Sequence, residues 1–226
     1  MTDASQPAAS SQSKPVRTWR GEAPEDRVAQ RRNALLDAGL TELTAKGAAA
    51  VSITSVCAAA KLTQRYFYES FAGKDEFLNA VLDTTVRQAH AVILGALDDA
   101  PTDSAPALIA HLVDAFTDYL ADDRRRPNLM FLQTRSHLGL ALRGNMLAKE
   151  FITPISLALH MPPFDERRSS NDDIDVEMTA LAIFGAMSQL YAAWAAGALD
   201  VDARRLAAHV TSVIEHCLPS SSHNRH

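Results

Sequence analysis

The chain has 226 residues, 47% hydrophobic and 22% charged, which fits one or two globular domains with a real core and excludes a fibrous or low-complexity chain. No uninterrupted apolar run approaches the ~20 residues that span a bilayer, and the opening MTDASQPAASSQSKP lacks the apolar centre of a secretory signal, so a cytoplasmic protein with no membrane partner is expected. The net charge of −5 lies wholly beyond residue 83; residues 1–83 are balanced, and Lys14 to Arg32 carries six basic against three acidic side chains.

Residues 1–22 are rich in Ser, Ala and Pro without periodicity and are expected to form a disordered arm, whose end carries Arg17, Trp19 and Arg20. Pro24, followed by Glu25 and Asp26, suits the start of a helix, and Val28, Leu35, Leu36, Leu40 and Leu43 then recur at helical spacing until Gly47. Ser52 is placed to cap a second, short helix with Ile53, Val56, Cys57 and Ala60 inward. Lys61 and Leu62 make a turn, and Thr63 is placed to cap a third helix running to about Phe71, with Phe67 and Phe71 on one face as its anchor. Gly73 closes this unit, and Lys74 opens a long helix that reaches about Leu97.

Helices continue from there. DDAPTDSAPA is a break, Leu108 to Leu120 is amphipathic, and Arg124 to Arg126 precede Pro127. Leu129 to Leu142 and Met146 to Leu159 form a further helical region in which Pro154 is expected to kink or split the chain. MPPFDERRSSNDD reads as a polar linker, and two last helices, about 174–196 and 201–218, flank a tight turn at Gly197 to Asp200, with residues 219–226 a disordered tail. No strand alternation of useful length appears, so the fold class is all-α. Cys57 and Cys217 fit no metal framework and read as reduced residues, Cys57 in the core. No cofactor or metal is implied, and no Ser/His/Asp, Cys/His or paired-carboxylate arrangement is legible as a catalytic site.

Ser52-Ile53, Val56, Leu62-Thr63, Phe67-Tyr68, Phe71 and Lys74-Asp75 with Phe77-Leu78 together resemble the N-terminal helix-turn-helix signature of TetR-family transcriptional regulators. The resemblance implies a three-helix DNA-binding domain over residues 23–73, followed by a helical ligand-binding and dimerisation domain over 74–218. Lys61 stands where the family usually has a turn glycine, Thr63 where it commonly has a serine cap, and Ser70 where a histidine is familiar.

A recognition helix presents its N-terminal residues to base edges in the major groove. Gln64 can pair with adenine and Arg65 with guanine, while Tyr68, one turn on from Gln64, can meet a thymine methyl or a backbone phosphate. By resemblance, Ser52, Thr54, Tyr66, Ser70 and Lys74 are expected at backbone phosphates; Glu69 is expected to be solvated. The resemblance also implies an inducer pocket among the middle helices, for which Phe116, Tyr119, Met130, Phe131 and Phe151 are candidates together with Leu132, Leu138 and Ile155, and with Arg135 or Gln133 as partners for a ligand carboxylate. In that family the last two helices of each subunit build a four-helix homodimer interface, for which Gly185, Leu190 and Trp194 are expected. The expected function is a repressor released from a palindromic double-stranded operator by a small hydrophobic inducer. The alternative from another class is an all-α small-molecule or lipid-binding protein, or an enzyme, whose function lies in the C-terminal pocket; an aromatic third helix that binds protein is a further one.

Overall fold

A computed structural model describes residues 24–101, 104–160, 164 and 173–218. The expected arm, with Arg17, Trp19 and Arg20, the expected tail, and all of the expected polar linker except Phe164 and Asp173 lie outside the described residues. Every regular element among the described residues is helical. In chain order these are α1 (Pro24–Lys46), α2 (Ile53–Ala59), α3 (Gln64–Ser70), α4 (Lys74–Leu97), α5 (Ala105–Asp122), α6 (Arg125–Asn128), a π-helical turn (Leu129–Gln133), α7 (Thr134–Ser136), α8 (Leu138–Ala158), α9 (Asp173–Ala195) and α10 (Ala203–Cys217).

The first three helices fold around aromatic rings. Phe67 and Phe71 of α3 and Phe77 of α4 are all buried, with ring centroids 5.0 to 5.4 Å apart. Such tilted contacts add to the area that the rings bury. Gly39 is required in α1 because a Cβ there would lie 2.4 Å from Phe77 Cζ. The buried face of α1 begins at Leu35; Val28, expected inward from its spacing, is exposed because it precedes that contact.

The caps follow the sequence in part. Ser52 Oγ accepts from Ser55 N at 3.1 Å and Ser55 Oγ accepts from Ser52 N at 3.3 Å, a reciprocal capping box. Thr63 occupies the first cap of α3, yet its side chain makes no capping bond there. Lys61 has φ 55°, so the turn carries the left-handed residue for which glycine would be cheaper. Among the described residues, Gly47 and Gly197 hold the other two positive φ values, 79° and 73°.

The core of the first three helices does not stop at Gly73. It takes in Leu78, Val81, Leu82 and Val86 of α4, Leu129 of the π-helical turn, and Leu140 and Leu147 of α8. A second core joins α5, α9, α10 and the far end of α4 around Leu120, Tyr191, Ile183 and Val210. Met130 and Phe151 pack against both. The three-helix head and the helical body are thereby in van der Waals continuity.

The region after α5 divides differently from the expectation. The interruption falls at His137, whose Nδ1 accepts from Leu140 N at 3.4 Å, and α8 then runs unbroken through Pro154. The proline's missing N–H costs one ladder bond but does not split the helix. Helix α9 is, by length and composition, apolar enough to cross a membrane; Val176, Ala180, Ile183, Tyr191 and Trp194 on one side of it are packed into the body.

Candidate DNA-reading head and ligand cavity

Helices α2 and α3 meet across the tight Lys61–Leu62 turn. Gln64, Arg65 and Tyr68 all point to the surface, with Tyr68 57% exposed and its ring edge-on to buried Phe67 at 5.6 Å. Gln64 Nε2 donates to Thr54 Oγ1 at 3.0 Å, which ties the first residue of α3 to α2. Arg65 Nε donates to Glu69 Oε1 at 3.1 Å, so Glu69, exposed as expected, is also an ion-pair partner of Arg65. One turn of helix separates the two, which is the spacing at which such pairs form.

The expected phosphate residues are distributed around this surface. Ser52 and Thr54 are exposed at the start of α2. Tyr66 is half-buried beneath the Arg31 guanidinium, 4.5 Å from its ring centroid, so α1 braces it from behind. Ser70 is half-buried at the end of α3. Lys74 Nζ donates to Ala49 O at 3.2 Å, joining the start of α4 to the α1–α2 connection. Glu76 Oε2 accepts from Ala72 N at 2.7 Å and braces the same corner. Burial raises the pKa of the Cys57 thiol, which favours its neutral form in the head core.

The body encloses an apolar cavity of about 630 Å³, well within the range of small-molecule sites. Phe116, Met130, Phe131 and Phe151 line it, as expected, and so does Ile155. Tyr119 does not: its hydroxyl donates to Thr85 O at 2.8 Å and Arg126 covers its ring at 4.2 Å, so it is consumed in packing. Burial pushes its pKa up to about 12. Leu132 is also absent from the lining, and Leu138 is 77% exposed at the start of α8. Arg135 lies at the cavity, with Nη2 donating to Gln189 Oε1 at 3.2 Å, whereas Gln133 binds Asn128 instead.

One wall of the cavity is a single stripe of α4: Leu82, Val86, His90, Ile93, Leu94 and Leu97. From Leu82 to Leu97 is about 22 Å at the α-helical rise, so the cavity is elongated along α4. His90 escaped the sequence reading although it is the one polar side chain in an apolar repeat, a signal that was present in the spacing. Met130 and Phe131 of the π-helical turn also line it.

Directly before that turn, the three consecutive arginines diverge. Arg124 lies over Trp194 of α9 at 4.0 Å, and Arg126 lies over Tyr119 of α5. Arg125 reaches the head, with Nη2 donating to Asp37 Oδ1 at 2.9 Å and Nη1 to Thr41 Oγ1 at 2.7 Å, while Asp123 accepts from Nε at 2.9 Å and Nη2 at 2.7 Å. This hydrogen bonding to Arg125 holds the Asp123 carboxyl below its ordinary range, against a burial effect that opposes it.

Trp194 is therefore turned into its own subunit: it is 4% exposed, and its Nε1 donates to Val201 O at 3.0 Å. It has almost no surface left to offer a partner. Leu190 is half-buried against the body core, whereas Gly185 lies on an open face of α9. That face also exposes Ile174, Met178 and Leu181. Two histidines of the body are locally bonded: His111 Nε2 lies 2.9 Å from Ala96 O, and His160 Nδ1 lies 2.9 Å from Ser156 O.

The pattern described as bacterial regulatory proteins, tetR family, matches residues 35–81, which span the second half of α1 through the first turns of α4. Over those residues the head of this chain is similar to the tetR family. Solved structures share the fold over most of the chain. The fatty acid degradation regulator FadR from Bacillus halodurans is 17% identical, with a TM-score of 0.71 over 92% of this chain and 100% of that one. The transcriptional regulator FadR from Bacillus subtilis, solved in complex with stearoyl-CoA, is 19% identical, with a TM-score of 0.69 over 84% of this chain and 99% of that one. A tetR-family regulatory protein from Rhodococcus RHA1 is 17% identical, with a TM-score of 0.64 over 84% and 98%. No curated protein matches the chain. A head that matches the tetR pattern on an all-helical body is thus the fold this chain shares with these regulators.

Proposed function

We propose that this protein is a homodimeric repressor that binds a palindromic operator and leaves it when a long apolar ligand fills the body cavity. The observation that carries the reading is the joining of a tetR-type head to an elongated cavity through shared residues. Leu82, Val86 and Leu147 belong to the head core and also line the cavity. A ligand that separates or tightens these side chains acts on the seat of the head itself, which is the differential contact that a ligand-driven switch requires.

In this reading Gln64, Arg65 and Tyr68 meet base edges, while Ser52, Thr54, Tyr66, Ser70 and Lys74 meet phosphates. Arg65 exchanges Glu69 for DNA. The open face of α9, with Met178, Leu181 and Gly185, supplies the dimer contact, since its lack of Cβ at Gly185 allows close approach of a second helix. The ligand class follows from the lining, which is apolar over most of its length, and stearoyl-CoA in the Bacillus subtilis FadR structure supports a long acyl chain. The lipid-carrier alternative shares the cavity but leaves the tetR-type head without a task.

The test is fluorescence anisotropy of an operator fragment chosen by selection from random DNA, titrated with the purified protein and then with stearoyl-CoA. Tight, steeply salt-dependent binding followed by release is expected. Binding that survives saturating stearoyl-CoA and other long-chain acyl ligands removes the inducer part of the proposal; flat salt dependence removes the DNA part.

A further inference from the structure

The cavity is polar at one corner. Its lining includes two charged side chains, Arg135 and Glu150, and two polar ones with no hydrogen-bond partner among the described residues, Asn145 and Ser188. Asn145 is exposed and Ser188 half-buried, and neither has its polar atoms sealed from solvent. His90 Nε2, by contrast, is unpartnered among the described residues but sealed, so it is not offered to a ligand. Tyr191 and Thr134 are already engaged: Tyr191 OH lies 2.6 Å from Thr117 Oγ1, and Thr134 Oγ1 donates to Met130 O at 2.8 Å.

Three helices bring Arg135, Asn145 and Ser188 to the same corner. Arg135 Nη2 donates to Gln189 Oε1 at 3.2 Å, which sets it beside Ser188 on α9. Thr134, its neighbour in the chain, packs on α8 at Gly144, where a Cβ would lie 3.2 Å from Thr134 Cγ2, and Asn145 follows. The level of this corner along the channel is fixed by two contacts. Asp83 of α4 accepts from Arg143 Nε at 2.6 Å, and His90 Nδ1 lies 3.5 Å from Glu150 Oε2, so α4 and α8 run side by side in the same direction. The polar corner is thus level with Leu82 and Val86, which belong to the head core. From Asn145 to Ala158, also in the lining, is about 20 Å at the helical rise, and that far end, with Leu97 and Leu108, is apolar.

Arg135 commits one of its five N–H donors to Gln189 and has no carboxylate partner among the described residues. Arg125 and Arg143, by contrast, are each paired with aspartate. A guanidinium fork matches the two oxygens of a carboxylate, and the Asn145 amide and Ser188 hydroxyl are donors of the same kind. Glu150, about 8 Å further along α8, adds a negative charge to the lining. The corner therefore suits a single anionic charge and not the several phosphate charges of a nucleotide thioester. We infer that it is a head-group subsite for a free long-chain carboxylic acid, whose carboxylate lies on Arg135, Asn145 and Ser188 and whose tail runs toward Leu97 and Ala158. The inference rests on the reading of the cavity as the ligand site and adds the head group and the direction in which the chain lies.

Isothermal titration calorimetry of the full-length protein with stearate, octadecanol and stearoyl-CoA tests it. Stearate is expected to bind about tenfold more tightly than octadecanol, and more tightly than stearoyl-CoA. Arg135→Gln, which keeps a donor and removes the charge at an exposed position, is expected to lose the preference for stearate while binding octadecanol as before; Arg135→Lys retains part of it. Ser188→Ala, a smaller change, weakens stearate alone by about threefold. Equal affinities for stearate and octadecanol, tighter binding of stearoyl-CoA than of stearate, or a preference undiminished in Arg135→Gln overturns the inference while leaving the cavity a chain-binding site. If none of the three ligands binds the wild-type protein, the ligand reading of the cavity falls with it.

Discussion

Arg125 of the body donates to Asp37 of the first head helix at 2.9 Å, across 88 residues of sequence. The same guanidinium holds Thr41 and Asp123, and the π-helical turn that follows it carries Met130 and Phe131 into the cavity wall. A displacement of that turn is therefore delivered to α1 within one short stretch of chain. Arg125→Ala is expected to cost about 1 kcal/mol of stability, since the site is partly open to solvent and screened. Its larger effect is on coupling: operator affinity is retained while the ligand concentration needed for release rises. A double-mutant cycle with Asp37→Asn, read by thermal unfolding, checks that the pair interacts.

The Arg65–Glu69 pair predicts opposite effects for its two members. Arg65→Ala lowers affinity for the selected operator by about 1 to 3 kcal/mol and leaves random-sequence binding nearly unchanged. Glu69→Gln frees the guanidinium and removes a negative charge from the DNA-facing surface, so binding to all sequences strengthens. Anisotropy with specific and random duplexes separates the two; equal losses on both duplexes for Arg65→Ala assign that side chain to phosphate.

Gly39→Ala tests the packing of α1 on α4. The new methyl meets Phe77 and Val81 at 2.4 and 2.8 Å, and Phe77 is itself buried among rings. Overpacking of this kind costs about 1 to 3 kcal/mol, read as a lowered chemical-denaturation midpoint.

Two titrations bracket the stability profile. Asp123 has its pKa depressed by Arg125, so its contribution is present above its ordinary value near 3.9 and is lost as pH falls through the lower folded value. Tyr119 and Tyr191 have theirs raised to about 12 by burial, so the folded state holds their protons and loses stability as pH climbs from about 10 toward 12. Tyr191→Phe is expected to flatten the alkaline limb of a pH-dependent denaturation series, at the expense of the hydrogen bond to Thr117.

Met178→Glu on the open α9 face is expected to give a monomer in analytical ultracentrifugation with the helical circular dichroism intact, since the side chain is 55% exposed and makes no demand on the core. Trp194→Ala, by contrast, is expected to unfold the α9–α10 corner because it removes a buried ring and the cover for Arg124.

The head was legible because its signals are local. Caps, the Phe67–Phe71 spacing and the lysine-started helix depend on residues a turn apart, and each element falls within a residue or two of its expected bounds. Where the reading failed, the deciding contact was distant in sequence. Trp194 looks like interface material until Arg124 is seen lying over it, and Tyr119 looks like cavity lining until Arg126 covers it. The interruption at His137 depends on a side-chain nitrogen taking an N-cap role that Ser, Thr, Asp or Asn usually fill. His90 was within reach of periodicity alone, as the polar member of the stripe Leu82, Val86, Ile93 and Leu97; its orphaned nitrogen needed the fold.

Selection of bound sequences from random double-stranded DNA by the purified protein tests the central claim most directly, because it reads binding, specificity and symmetry together. Enrichment of a palindrome whose half-sites are spaced for two major grooves on one face of the duplex is the predicted result. A pool that stays random through successive rounds, with affinity indifferent to salt, would contradict it.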